Sequence, residues 1–116
     1  MDNLKPCGKI KLNIPFDRII EQYNSGKMDK KLLYVTHNRI VNAIIDYFKK
    51  YITITEYMSK NKIIDDNINL YIKFDGKIYK TAKEIERNLY DYLQVYLPDN
   101  VSDDLGYPYV IGIETY

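Results

Sequence analysis

The chain has a single cysteine, Cys7, and a single histidine, His37. A lone thiol excludes an internal disulfide, and one Cys with one His cannot complete a zinc site. No stretch approaches the roughly 18 uninterrupted apolar residues of a membrane-spanning helix, so no membrane role is expected. The opening Met1-Asp2-Asn3-Leu4-Lys5-Pro6 lacks the apolar core of a secretory leader, which points to a cytoplasmic protein. The five glycines, Gly8, Gly26, Gly76, Gly106 and Gly112, are scattered. They match neither a Walker nor a Rossmann phosphate loop, and no serine sits in a nucleophile elbow. No cofactor is expected. Gly/Ser or Pro-rich linkers, internal repeats and low-complexity tracts are also missing, so residues 1–116 are read as one domain.

What is present is skewed. Ile (17), Lys (14), Tyr (13) and Asn (10) dominate, while alanine occurs only at Ala43 and Ala82. Codons for the abundant types are A/T-rich, as in a low-GC bacterium, its phages or its plasmids. A chain of 116 residues with 46% hydrophobic content can build a single core, burying roughly 65% of its unfolded surface. The formal charge of +1 conceals a division. Residues 1–63 carry twelve cations against six anions, and residues 64–116 carry five against ten. Opposed fields of this kind steer association with charged partners.

The apolar spacing predicts the elements. Ile10, Leu12 and Ile14 alternate with polar residues, the period of a half-buried strand over Lys9 to Ile14; residues 1–8 are expected to be loose. Phe16, Ile19, Ile20 and Tyr23 follow at helical spacing, and Asn24-Ser25-Gly26 supplies a stop. Leu32 to Thr36 reads as a short strand, with Thr36 or Asn38 capping the helix after it; one long helix from Asp29 is the alternative. Ile40, Val41, Ile44, Ile45 and Phe48 form an apolar stripe, with Asp46 and Lys50 spaced as an ion pair. β-branched residues begin at Ile52. Further on, Ile68, Leu70, Ile72 and Phe74 alternate up to Asp75-Gly76, a hairpin signal with Lys77 to Lys80 as the returning arm. Thr81 and Glu84 fit a capping box. Ile85, Leu89, Tyr92, Leu93 and Tyr96 line the next helix, which ends by Pro98. Asp99 to Asp104 reads as a loop, and Tyr109, Ile111 and Ile113 alternate into a last strand. The order β-α-(β)-α-β-β-α-β implies a small single α+β domain. Its mixed or antiparallel sheet has about four strands, with two to three helices packed on one face.

Three kinds of function remain open. His37 is the one side chain whose ordinary pKa lies near neutrality, and at a helix start the dipole would hold it neutral, as a general base requires. Leu32 to Phe48 resembles the strand–His–helix order of viral ring nucleases over some seventeen residues. That resemblance implies metal-independent phosphodiester cleavage by His37. The acidic pairs Asp65-Asp66 and Asp103-Asp104 lack EF-hand spacing and read as turn residues, so no metal is expected. Cys7, near a loose end, is badly placed for a nucleophile. The segment Lys27 to Lys62 interleaves cations with tyrosines and is the nucleic-acid candidate, with Arg39, Lys49, Lys50, Lys60 and Lys62 on phosphates.

The third surface is acidic and tyrosine-rich. Tyr90, Asp91, Asp103, Asp104, Tyr107, Tyr109 and Glu114 could imitate base and phosphate and occupy the basic groove of a nucleic-acid enzyme. The last strand could also be a sheet edge open to a partner or to a second copy. The expected function is therefore non-catalytic: a phage- or mobile-element-encoded protein that binds and inhibits or modulates a host protein. The partner expected is a nucleic-acid defence complex such as CRISPR–Cas, in a bacterial cytoplasm.

Overall fold

Alternation in the sequence becomes a layered structure because strands place successive side chains on opposite faces. The computed structural model describes residues 7–59 and 65–115. In β1 (Cys7–Pro15), Ile10, Leu12 and Ile14 point inward. In β3 (Asn67–Asp75), Ile68, Leu70, Ile72 and Phe74 do the same, and the two strands pair antiparallel with these residues in register. β2 (Thr53–Ser59) pairs with β3, and β4 (Tyr109–Thr115) with β1, both antiparallel. The sheet order is β2-β3-β1-β4. β1 and β2 are thus parallel with β3 between them, and β3 and β4 are parallel with β1 between them. This is the split β-α-β arrangement of a β-α-β-β-α-β domain.

The helices cover one face. They are α1 (Asp17–Asn24), α2 (Lys30–Lys49), α3 (Ala82–Tyr96) and the single turn α4 (Asp99–Ser102). Their buried residues and those of β1 and β3 form one core cluster. The α+β class, the antiparallel four-strand sheet and the one-sided helical layer agree with the sequence reading. The stop after α1 does too, since Gly26 takes φ +82°. The capping box forms as expected: Thr81 Oγ accepts from Glu84 N at 3.2 Å, and the Glu84 carboxylate accepts from Thr81 N at 3.3 Å. Replacing Thr81 with alanine should lower stability by about 1 kcal/mol, readable as a shift in the urea midpoint with unchanged slope.

Five expectations are corrected. Leu32 to Thr36 is helix, not strand: α2 runs unbroken from Lys30. Its start is fixed by Asp29, whose side chain accepts from Leu32 N at 2.7 Å. Met28 and Leu33 hold the two positions of a hydrophobic staple around that cap, and both are buried. Tertiary burial of Leu33, Thr36 and His37 on one face outweighs the weak helix preference of Tyr34-Val35-Thr36.

The Asp75-Gly76 hairpin does not form. β3 already has β1 on one edge and β2 on the other, so a returning strand has no edge to join. Gly76, at φ +117°, instead turns the chain out of the sheet towards α3.

Asp99 to Asp104 contains α4 rather than only loop. Finally, the alternation of Tyr109, Ile111 and Ile113 is broken by a bulge. Gly112 pairs with Lys11 and Val110 with Leu12, leaving Ile111 as the extra residue. Val110 and Ile113 pack towards the core, while Ile111 is turned out. The strand start also shifts: Cys7 and Gly8 are paired in β1, so the looseness expected of residues 1–8 does not reach them, and residues 1–6 lie outside the described residues.

Gly8, the second residue of β1, has no room for a side chain. A Cβ there would collide with the Glu114 carbonyl of β4 and lie 2.8 Å from Phe74 Cζ. The two outer strands both carry a bulge, in β2 between Ile54 and Glu56 and in β4 at Ile111. Bulges bend the strand locally and increase its twist.

Candidate interaction surfaces

His37 sits inside α2, not at its start, so the helix N-terminus expected to keep it neutral is not beside it. It is 5% exposed and lies edge-on to Phe16, with ring centroids 5.7 Å apart at 89°. Neither ring nitrogen has a hydrogen-bond partner. Burial alone lowers its pKa, because a charged imidazole there would lose its water without gaining a counter-charge. The neutral form follows from the core, and the same core closes the ring off from solvent. A general base has to reach the proton it removes, and the geometry of this imidazole gives the cleavage reading no support.

The tyrosines of the acidic surface do converge. Tyr90 on α3 meets Tyr107 at 5.2 Å between centroids, and Tyr107 meets Tyr109 of β4 at 5.9 Å. The three rings run from helix to strand along the outer side of β4. β4 pairs only with β1 among the described strands, so its other edge faces outward. One donor of that edge is already occupied: Val110 N donates to Glu86 Oε2 of α3 at 2.7 Å. Beyond it stands Ile111, 63% exposed.

The carboxylates of the same set do not gather with the rings in the same way. Asp91 follows Tyr90 on α3 and is exposed. Asp103 is exposed at the C-cap of α4. Asp104 turns away towards α1, where its carboxylate accepts from Gln22 Nε2. Glu114 lies at the far end of β4, opposite Lys9, whereas Tyr109 lies opposite Asn13.

Arg39 and Lys49 are exposed on α2, and Lys60 and Lys62 lie outside the described residues. Lys50, expected to pair with Asp46, holds its ammonium 4.6 Å from the Tyr92 ring centroid instead. Asp65 and Asp66 precede β3, and the Asp66 carbonyl accepts from Phe16 N at 2.6 Å. Among the described residues no three His, Cys, Asp or Glu side chains gather in a metal-binding group. Cys7 is partly buried at the start of β1.

Two features escape a linear reading because they join distant segments. One is the uncovered sheet face, where register sets Lys9, Lys11 and Asn13 beside Asn69, Tyr71 and Lys73. Here Asn13 Nδ2 donates to Asn69 Oδ1 at 2.7 Å, and Lys73 pairs with Glu56 at 3.3 Å. A depression of about 340 Å³ lies over Lys11, Tyr71 and Met58.

The other is a tyrosine cluster between the end of α2 and α3. Tyr47 contacts Tyr51 at 5.3 Å and Tyr92 at 5.4 Å, and Tyr92 stacks on Tyr96 at 5.2 Å. Burial, reinforced by the neighbouring Tyr51, pushes the Tyr47 phenol up to about 12. The i,i+4 spacings Tyr47–Tyr51 and Tyr92–Tyr96 are visible in the sequence, but their meeting across two helices is not. Compared with family models, curated proteins and solved structures, the chain finds no match.

Proposed function

We propose that this chain is a non-catalytic interaction protein, and that it binds a partner protein through the outer edge of β4 and the tyrosines beside it. One observation carries the reading. Tyr107 contacts both Tyr90 and Tyr109, beside the edge of β4 that has no strand partner among the described residues and presents Ile111 to solvent. Edge strands accept an added strand through their backbone groups, and flanking aromatics supply the contact area that anchors an interface. The finer reading is inhibition of a host nucleic-acid-processing complex of the CRISPR–Cas kind. Its support is chemical: exposed Asp91 and Asp103 supply negative charge and the tyrosine rings supply flat faces, both of which a basic nucleic-acid groove accepts.

The test is capture from a nuclease-treated lysate of a CRISPR-bearing bacterium, using the wild type and an Ile111→Lys variant. Ile111 is exposed, so the substitution should leave the fold intact, while a lysine on the edge obstructs strand addition. The expected result is one host protein retained by the wild type and reduced about tenfold or more with Ile111→Lys or Tyr109→Ala. Equal retention by both variants, or recovery of nothing but nucleic acid in untreated lysate, overturns the reading. The same edge is the natural site for a second copy of the chain. A concentration-dependent dimer in sedimentation, broken by Ile111→Lys, would assign the edge to self-association.

A further inference from the structure

A second surface lies apart from the β4 edge and is of a different kind. Where α2 ends and the chain passes from β3 to α3, a cleft of about 180 Å³ opens with a mainly apolar lining. Phe48 and Ile78 are part of its lining, with Tyr47 and Tyr51 on the α2 side and Tyr79 on the other. Tyr79 is 87% exposed, a ring with one flank on the cleft and the rest in water. Lys77 and Lys80 also line it. The Lys80 ammonium is held 4.3 Å from the Tyr51 ring centroid, so its position is set by an aromatic face and not by an anion. Glu84, the nearest carboxylate in sequence, is turned into the capping box on Thr81. Among the described residues neither Lys77 nor Lys80 has a carboxylate within ion-pair distance.

From this geometry we infer that the cleft is a nucleotide site, taking one nucleobase against Tyr79 and the apolar floor with its phosphate on Lys77 and Lys80. Size, lining and charge each narrow the choice. The volume suits a single planar ring system and is too small for a helix or a drug-sized ligand. Aromatic walls favour a flat π-system, since a base can stack on tyrosine whatever its identity. Two cations without counter-ions suit the anionic oxygens of phosphate, which brings two charges as a terminal monoester and one at each linkage of a strand. Two forms carry this one chemistry, a free monophosphate and a unit of a single strand.

Equilibrium titration followed by tyrosine fluorescence tests the assignment. The probes are adenosine 5′-monophosphate, adenosine, inorganic phosphate and an oligothymidylate of about ten nucleotides. Saturable binding is expected for the monophosphate, the oligonucleotide or both, and which of them binds tells the free ligand from the strand. Lys80→Ala and Tyr51→Ala should each weaken that binding about tenfold. Tyr51→Phe, which keeps the ring, should leave it within about twofold, as should Ile111→Lys on the separate β4 edge. Tyr51 is exposed and Lys80 is only partly buried, so loss of fold does not confound these variants, and circular dichroism verifies it. Absence of saturation by either nucleotide probe overturns the proposal. So does undiminished binding in Lys80→Ala and Tyr51→Ala, or inorganic phosphate binding as tightly as the monophosphate.

Discussion

Phe16→Ala should destabilise the protein by about 4 kcal/mol and lower its melting temperature by roughly 15 °C. Phe16 is fully buried, at the point where β1 gives way to α1. Its ring meets His37 edge-on, and its N–H donates to the Asp66 carbonyl at 2.6 Å just before β3. One side chain therefore touches α2 while its backbone ties α1 to the approach to β3. Truncation leaves a void that α2 cannot close without moving off the sheet, and deletions of this size cost about 3–5 kcal/mol. Against a total stability of about 5–15 kcal/mol, such a loss brings the domain near the unfolding threshold. Phe16→Leu fills most of the space and should cost about 1.5 kcal/mol or less. Urea denaturation of the three proteins decides the matter. Near-equal losses for Ala and Leu would show that the ring is not packed as described.

The second large effect is pH dependence from His37. Its pKa in the folded state is lowered by burial below 6.5, the ordinary value it regains on unfolding. Above pH 6.5 the imidazole is neutral in both states, and its contribution to stability does not change with pH. Below 6.5 the unfolded chain takes up a proton that the folded chain resists, so stability falls as pH drops towards the folded-state pKa. The slope in that window is at most about 1.4 kcal/mol per pH unit. His37→Leu removes the titration, and with it two buried nitrogens that lack partners. The variant should be about 1 kcal/mol more stable at neutral pH, and its stability profile should diverge from that of the wild type between pH 6.5 and 5.5. Parallel profiles across that interval would contradict the burial of the ring. Phe16→Ala links the two experiments. Water entering the void would give the imidazole a partner and return its pKa towards 6.5, which proton NMR of the single histidine would follow.

The layered α+β fold was legible because its main signals are local. Ile10, Leu12 and Ile14 announce a strand with one dry face, and Thr81 with Glu84 announces a helix start, through spacings that need no knowledge of distant chain. Asp75-Gly76 misled because turn chemistry describes only what a turn permits. Whether an arm returns depends on a vacant neighbouring edge, and β2, arriving from earlier in the chain, had taken it. Leu32 to Thr36 misled for a related reason, since strand preference there is weak and the burial that decides it comes from α1 and the sheet. Among the surface residues, composition groups Tyr90, Tyr107 and Tyr109, and these rings do meet. Glu114 and Asp104 are near them in sequence but lie elsewhere, because strand length and the α4 turn separate them from the rings. The cleft beside Tyr51 and Lys80 has no local signature. Its walls come from segments whose approach only the completed layer defines.

The central position of β1 also bears on how the molecule is made. Of the described strands it is synthesised first, pairs with β3 some sixty residues later, and receives its other neighbour only from the last strand described. During translation one side of this inner strand must therefore wait, with its hydrogen-bonding groups unmatched, until almost the whole described chain has left the ribosome. Loop closure over such a span is entropically unfavourable and slow. β4 is thus the piece whose arrival completes the sheet, and a ribosome stalled shortly before it would hold a nascent chain with an exposed, strand-hungry flank of the sort that chaperones recognise.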